Sequence, residues 1–166
     1  VNIRKKDLEW TSMLSLSTLK NKVTALPAFI PQVLTGSIGT FISNYLVVEE
    51  GSAMQSFYGY QIDGIFQNEQ EIKESAQPGA KPGEPRFRDQ NGDNVIDIED
   101  RVILGNPFPK LTIGLNNQVR YKAFTLDIFL QAVQGYHTLN ANIAESLLPT
   151  NEDRNRLSEV MLNRWT

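Results

Sequence analysis

The chain has 166 residues, 40% of them hydrophobic and 21% charged, enough to bury a sizeable core in a single globular domain. Its formal net charge of −3 leaves no basic footprint for nucleic acid, and with no cysteine it carries no disulfide framework, thiolate metal site or thiol nucleophile. No apolar run of about 18 residues occurs, so no simple membrane-spanning helix is encoded; the strands of a membrane β-barrel alternate in character and escape that test.

The chain opens at Val1 without a signal peptide, the pattern of a mature segment or a cut fragment. Leu8, Trp10, Leu14 and Leu16 alternate with Glu9, Thr11, Ser15 and Ser17, a period of two that predicts a strand. A second strand is expected from about Thr40 to Val48, with Pro27, Pro31, Gly36 and Gly39 punctuating a loop between the two. Phe57 to Phe66 reads as another strand. Gln67 to Gly83, rich in Glu, Gln, Pro and Gly, reads as a water-exposed excursion with one helical turn at Glu69–Lys73.

The clearest alternation comes later. Leu111, Ile113, Leu115, Val119 and Tyr121 fall on one face of a long strand, opposite Thr112, Gly114, Asn116, Gln118 and Arg120. After a tight break near Lys122, Phe124, Leu126, Ile128, Leu130 and Ala132 share a face opposite Thr125, Asp127 and Gln131, so the two runs form a hairpin. Each run has roughly the 9 to 11 residues that a tilted strand needs to cross a bilayer, a length that a large soluble sandwich also uses. Helix is expected near the end. Thr138 to Leu148 forms a short one with Ile143, Ala144, Leu147 and Leu148 inward, ended by Pro149, and Asn151 caps another with Leu157, Val160, Met161 and Leu162 at helical spacing.

Between the strands lies Asp89-Gln90-Asn91-Gly92-Asp93-Asn94-Val95-Ile96-Asp97-Ile98-Glu99-Asp100, with oxygen donors at positions 1, 3, 5, 9 and 12 of a twelve-residue loop. A hard divalent cation takes six to eight oxygens, and this register offers side chains from Asp89, Asn91, Asp93, Asp97 and Asp100 with the Val95 carbonyl at position 7. The candidate metal is a structural Ca2+. Asn94 replaces the usual glycine at position 6 and tolerates the left-handed conformation required there, while Gly92 loosens position 4. Asp100 has a shorter arm than the usual glutamate, which weakens a bidentate hold. The same residues also suit a solvated Asx-turn loop. The flanks are extended: Pro85-Arg86-Phe87-Arg88 precedes it, and Arg101-Val102-Ile103-Leu104 runs into Gly105-Asn106-Pro107. The loop therefore sits between strands and not between EF-hand helices, and it has no second copy of the kind that paired dockerin loops carry.

Constellations for enzymatic chemistry are nearly absent, so no enzyme is expected. His137, the sole histidine, lies beside Tyr136 after a strand with no cysteine to pair with, which fits an ordinary loop histidine. Glu49-Glu50 or Asp63 would serve a glycosidase only if two acids faced each other about 5 to 9.5 Å apart across a cleft. No glycine loop for phosphate follows a strand.

Phe57-Tyr58-Gly59-Tyr60-Gln61-Ile62-Asp63-Gly64-Ile65-Phe66-Gln67 resembles the "fyGYkvDGIFQ" segment of TonB-dependent outer-membrane receptors of the SusC/RagA class. The order downstream resembles it too: a Pro/Gly linker, the Asp89–Asp100 loop, then Arg101 through Pro107 and Pro109-Lys110-Leu111-Thr112-Ile113-Gly114-Leu115-Asn116-Asn117, similar to "iGnPnPkftyGlnn". A strand like Phe124–Gln131 and a Gly135-Tyr136 turn follow, and Asn163-Arg164-Trp165-Thr166 resembles "nrWt". Upstream, Trp10 and the Asn21-Lys22-Val23 turn are similar to the preceding family hairpin.

The resemblance covers residues 1–166 and implies a partial receptor barrel. Such receptors resemble plugged barrels of about 22 strands, whereas this chain holds roughly six to eight, without the plug, the N-terminal extension or the segment that contacts TonB. The implied fold is mainly β: antiparallel strands of an incomplete transmembrane barrel with long loops and one or two short helices, in the bacterial outer membrane. The implied function is nutrient import, of glycans or peptides delivered by a SusD-like surface lipoprotein and driven through TonB, with no transport by the fragment alone. The apolar face of Leu111–Tyr121 would meet outer-membrane lipid, Asn116, Gln118 and Arg120 would face the lumen, and the break near Lys122 would be a short periplasmic turn. The Asp89–Asp100 loop and Thr138–Arg164 would then be extracellular, where calcium is plentiful enough to fill a site of roughly 10⁻⁴ to 10⁻³ M affinity. Tyr58, Tyr60, Phe108 and Tyr136 are candidates for ligand or lid contact, beside their ordinary packing role. The alternative is a free-standing calcium-stabilised β-domain for adhesion or carbohydrate binding, which requires the apolar face of the Leu111–Ala132 hairpin to be covered by the chain's own residues. Where that face lacks a cover, its apolar strands and open edges favour self-association.

Overall fold

The computed structural model of the chain describes residues 2–39, 42–147, 158 and 162. The long alternating runs form one antiparallel sheet in the order β1-β2-β9-β10, built from β1 (Asn2–Lys5), β2 (Leu8–Thr18), β9 (Leu111–Tyr121) and β10 (Phe124–Gln134). The hairpin predicted around Lys122 is present in unbroken register from Phe124↔Tyr121 to Gln134↔Leu111, with Lys122 at φ 53 in the turn. β2 lies on the other side of β9, from Leu8↔Tyr121 to Thr18↔Leu111. Because side chains directly opposite one another in a ladder share a face, these pairings assign every strand residue to one side or the other. The strands do not close into a barrel among the described residues, so the incomplete barrel of the sequence reading stands here as an open sheet.

A second sheet has the order β3-β4-β5-β8, from β3 (Gln32–Ile38), β4 (Ile42–Glu49), β5 (Ser56–Tyr60) and β8 (Arg101–Gly105). β4 matches the expected second strand, but β3 occupies what was read as a loop. Its register shifts between Thr35 and Ser37, at Gly36, which has φ 83; a Cβ there would lie 2.9 Å from the Tyr45 ring. The glycine read as loop punctuation is a bulge that a strand uses to bend.

The run Phe57–Phe66 also differs from expectation. It breaks at Gln61 into β5, in the second sheet, and β6 (Ile62–Ile65), which pairs with β7 (Pro85–Phe87) in a two-stranded ribbon. The excursion that follows is more than solvated loop. Phe66 is fully buried and its backbone is bound twice, its N–H donating to Glu84 O at 3.0 Å and its carbonyl accepting from Gly83 N at 2.8 Å. The helical turn is α1 (Glu69–Lys73), capped by Asn68, whose side chain accepts from Glu71 N at 3.0 Å, and it buries Ile72. Period-two reading misses this anchor because Phe66 is a single apolar residue at the end of its run.

The later helix is α2 (Ala141–Leu147), starting three residues beyond Thr138 because Asn140 caps it through its side chain, 3.1 Å from Ile143 N. Ile143, expected inward, is exposed. The segment with Asn151, Leu157, Val160 and Met161 lies outside the described residues; Leu162, within it, is helical and exposed. No helix among the described residues is long and apolar enough to cross a membrane, which says nothing of strands.

Buried apolar side chains among the described residues are few: Val47, Phe66 and Ile72. The chain presents 12635 Å² of surface, against about 8,300 Å² for a compact monomer of this mass.

Candidate functional site: an oxygen-rich loop and an uncovered sheet

The Asp89–Asp100 loop turns on two left-handed residues, Gly92 at φ 79 and Asn94 at φ 63. Asn94 thus fills the role expected of it at position 6. Asp89 gathers the first half by accepting Gly92 N at 2.6 Å and Asn94 N at 2.8 Å. Asn91 accepts from Asp93 N at 3.0 Å, and Asp93 in turn accepts from Val95 N at 2.8 Å. The second half ends in a 3-10 turn over Ile98–Asp100 with a reciprocal cap: Asp97 accepts from Glu99 N at 2.8 Å, and Asp100 accepts from Asp97 N at 2.9 Å. The other Asp100 oxygen takes Gln90 N at 2.7 Å and so ties the loop's two ends together.

Asp100 is fully buried. Its carboxyl is held below the ordinary carboxylate range, first by the Asp97 N–H, then by the Gln90 N–H, against the opposing effect of burial; the Asn91 backbone and the Asp89 side chain contribute less. Positions 1 and 12 of the calcium register are therefore adjacent. The others do not converge: among the described residues no three acidic or imidazole groups meet at one point as a preformed cage would require. Asp93 and Asp97 are exposed, as is Asn91, and the Val95 side chain points to solvent. Backbone N–H groups supply most of the bonds that hold the loop's shape, with Asn91 Nδ2 donating to Asp93 at 3.0 Å beside them.

Beyond the loop, Arg101 fixes the start of β8. Its guanidinium donates to Asn44 O at 2.6 Å and Tyr58 O at 3.0 Å, and lies 4.6 Å from the Tyr58 ring centroid and 5.9 Å from that of Tyr60. Tyr60 also packs on Phe87, centroids 5.3 Å apart. Both tyrosines are thus engaged in packing, as is Phe108 in part; Tyr136 is exposed. His137, read as a loop histidine, follows β10. Its N–H donates to Asn106 O at 2.8 Å, and its ring lies so close over Gly105 that a Cβ there would come within 2.4 Å. With Tyr45, Phe57, Tyr58 and Leu104 it lines an open, mainly apolar cavity of about 270 Å³.

The first sheet is divided sharply by its two faces. One carries Leu14↔Leu115↔Leu130, Leu16↔Ile113↔Ala132 and Trp10↔Val119↔Leu126 in rows across β2, β9 and β10. Of its two amides, Asn117 accepts from Trp10 Nε1 at 3.3 Å, and Gln134 stands opposite Leu111 at the end of the ladder. Leu14, Leu16, Phe124, Leu126 and Leu130 are each more than half exposed, and every residue of β10 is exposed. None of the described residues covers the hairpin's apolar face. Burying a large apolar side chain is worth roughly 1.5–3 kcal/mol, so eight such side chains left in water (those five with Trp10, Tyr121 and Ile128) forgo on the order of 10 kcal/mol, comparable to the net stability of a domain.

The opposite face is polar. Arg4 binds Glu9 at 2.8 Å, Arg120 binds the same Glu9 at 3.0 Å, and Gln118 donates to Asp127 at 2.8 Å. Asn116, Gln118 and Arg120 stand on the side the sequence reading gave them. Met13 and Phe129, opposed across Asn116 and exposed at 63% and 66%, and Val133 opposite Thr112 are the apolar exceptions; alternation alone gave no sign of them. The turns Lys6-Asp7 and Lys122-Ala123 lie at one end of this sheet, joined by Lys122 N donating to Asp7 O at 2.9 Å. The opposite end leads into the long connections, starting with residues 19–31.

These features define a class of protein: an antiparallel β-protein whose main sheet is amphipathic and, among the described residues, open at its β10 edge and uncovered on its apolar side. No family profile matches the chain. Over 147 residues it is 35% identical to TonB-dependent receptor P3 of Formosa agariphila, an alignment covering 87% of this chain and 15% of that protein. It is 30% identical over 168 residues to TonB-dependent receptor P26 of the same organism, covering 99% of this chain and 16% of the relative. These similarities support the TonB-dependent receptor family. The chain spans about one sixth of the length of either relative.

Proposed function

We propose that the chain forms part of the barrel wall of a TonB-dependent outer-membrane import receptor of the SusC/RagA class. The whole receptor takes up glycans or peptides handed over by a SusD-like surface lipoprotein, with energy supplied through TonB from parts of the protein outside this segment. The observation that carries the reading is the uncovered apolar face of β2, β9 and β10 opposite a face of paired polar side chains. Eleven residues at about 3.3 Å each, tilted by about 45°, span roughly 26 Å, the height of the apolar band of an outer-membrane barrel. The open β10 edge supports it too, since a barrel continues with a further strand there. A free-standing β-domain would have to cover the same face with its own residues.

The test is an alternation. The chain has no cysteine, so nitroxide labels can be placed one at a time in the full-length protein, in bilayers, at Leu126→Cys, Asp127→Cys, Leu130→Cys and Gln131→Cys. Labels at 126 and 130 should be relaxed by oxygen, which partitions into lipid, and those at 127 and 131 by a water-soluble nickel chelate. Equal accessibility at all four positions would sink the proposal.

We further propose that the Asp89–Asp100 loop takes a structural calcium ion, with Asp89, Asn91, Asp93, the Val95 carbonyl, Asp97 and Asp100 as its ligands. Oxygen-only donors in calcium spacing support it, as does the adjacency of Asp89 and Asp100, the first and last positions of the register. Because the cage is not preformed, binding must draw Asp93 and Asp97 inward, and the affinity should be in the roughly 10⁻⁴ to 10⁻³ M range. Calorimetric titration should show that affinity, lost in Asp89→Ala; heat indistinguishable from that variant's would remove the ion from the account.

A further inference from the structure

At the short-turn end, the apolar face of the sheet finishes in a row that differs from every row above it. Lys5↔Leu8, Leu8↔Tyr121 and Tyr121↔Phe124 are directly opposed, so Lys5 stands on the same face as Leu8, Tyr121 and Phe124. A lysine at the end of a lipid-sized apolar stripe has an aliphatic stem that can follow the apolar surface and a head that must leave it. Lys6 and Lys122 occupy the two adjoining turns, and the Lys122 ammonium lies 5.3 Å from the centroid of Tyr121, which is itself half exposed. All three lysines are exposed and none makes an ion pair among the described residues, with Asp7 the nearby acid in the β1–β2 turn. The contrast with the other face is direct: there Arg4 and Arg120 share Glu9, and their charge is spent within the sheet. A chain with a net charge of −3 thus gathers three lysines against one acid, Asp7, at one end of its apolar face.

We infer that Lys5, Lys6 and Lys122 form a binding site for the phosphate headgroup of an anionic phospholipid, with Tyr121 at the headgroup level and the acyl chains lying along Leu8 and Phe124. This inference rests on the receptor reading and deepens it. Short turns at this end and long connections at the other assign the site to the periplasmic leaflet, since outer-membrane barrels keep their turns short on that side. Charge selects the occupant: a zwitterionic lipid offers the lysines no net attraction, whereas an anionic one gains from each cation near the surface. The amphipathic Tyr121 ring matches the aromatic girdle that marks the interface of such barrels.

The experiment uses the full-length protein and its K5Q/K6Q/K122Q variant in bilayers of mixed phosphatidylglycerol and phosphatidylcholine, counting retained lipids by native mass spectrometry. Wild type should retain phosphatidylglycerol in preference by about tenfold, and the variant should lose most of that excess. The preference should also collapse in about 1 M salt, where screening acts within about 3 Å. The substituted side chains are exposed and lie outside the strand ladders' ion pairs, so the variant should match wild type in strand content by circular dichroism. Equal enrichment in the two proteins overturns the site, as does a preference for phosphatidylglycerol that survives the added salt. Failure of wild type to enter the bilayer at all would overturn the receptor reading, and this inference with it.

Discussion

The Asp89–Asp100 loop and the β2–β9–β10 sheet complete their interactions in opposite ways. In the loop, each carboxylate finds its partners within a few residues: Asp89 takes Gly92 and Asn94, Asp97 takes Glu99, and Asp100 takes Asp97 and Gln90. The nearby Phe66 turn is likewise bound to its own flank at Gly83 and Glu84. The sheet satisfies its backbone across partners about a hundred residues apart in sequence, as in Trp10↔Val119, and leaves its apolar side chains with nothing to cover them. Short-range polar satisfaction makes a segment that is finished within the chain. A long-range ladder with one bare face makes a segment that needs an environment, and the lysine row at its end sets the charge of that environment.

The largest effect should come from breaking the finished region at its buried aromatic. Phe66→Ala removes a fully buried ring and should cost about 3–5 kcal/mol, read as lost hydrogen-exchange protection at the Phe66 and Gly83 amides. Unchanged protection would mean that the β6–β7 ribbon is held from elsewhere.

A charge on the bare face comes next. In bilayers, Leu130→Arg should destabilise the folded protein by about 2–4 kcal/mol, whereas Gln131→Arg, one residue away on the polar face, should stay within about 1 kcal/mol. Denaturant titration in liposomes compares them, and similar losses at both positions would erase the distinction between the faces.

The smallest effect concerns acid. The Asp100 carboxyl is held below its ordinary value near 3.8 by backbone N–H donors, so its contribution to stability is complete above that value and is lost as pH falls through the lower folded-state pKa. Exchange at the Gln90 and Asp97 amides should accelerate between about pH 5 and pH 2 beyond the intrinsic trend, and Asp100→Asn should flatten that response. Identical profiles in the two proteins would remove Asp100 as the tie between the loop's ends.

Local chemistry was legible wherever one residue decides one conformation. Asn94 in the left-handed region, the Lys122 break, the Asn68-capped turn at Glu69–Lys73 and the two faces of Leu111–Tyr121 follow from side-chain size, capping and the period of two, which operate over a few residues. Other features were not legible at that range. Gly36 reads the same as a loop breaker or as a bulge until Tyr45 is seen 2.9 Å from where its Cβ would be. Phe57–Phe66 reads as one strand until its halves find different partners, and Phe66 is a core residue only because Gly83 and Glu84 fold back to it. Alternation in the sequence determined which residues share a face, because the backbone pleat imposes it on any strand. Only the tertiary structure decided that no described residue covers the apolar face and that Lys5, Lys6 and Lys122 gather at its end, because cover and charge pairing depend on which distant segments return to it.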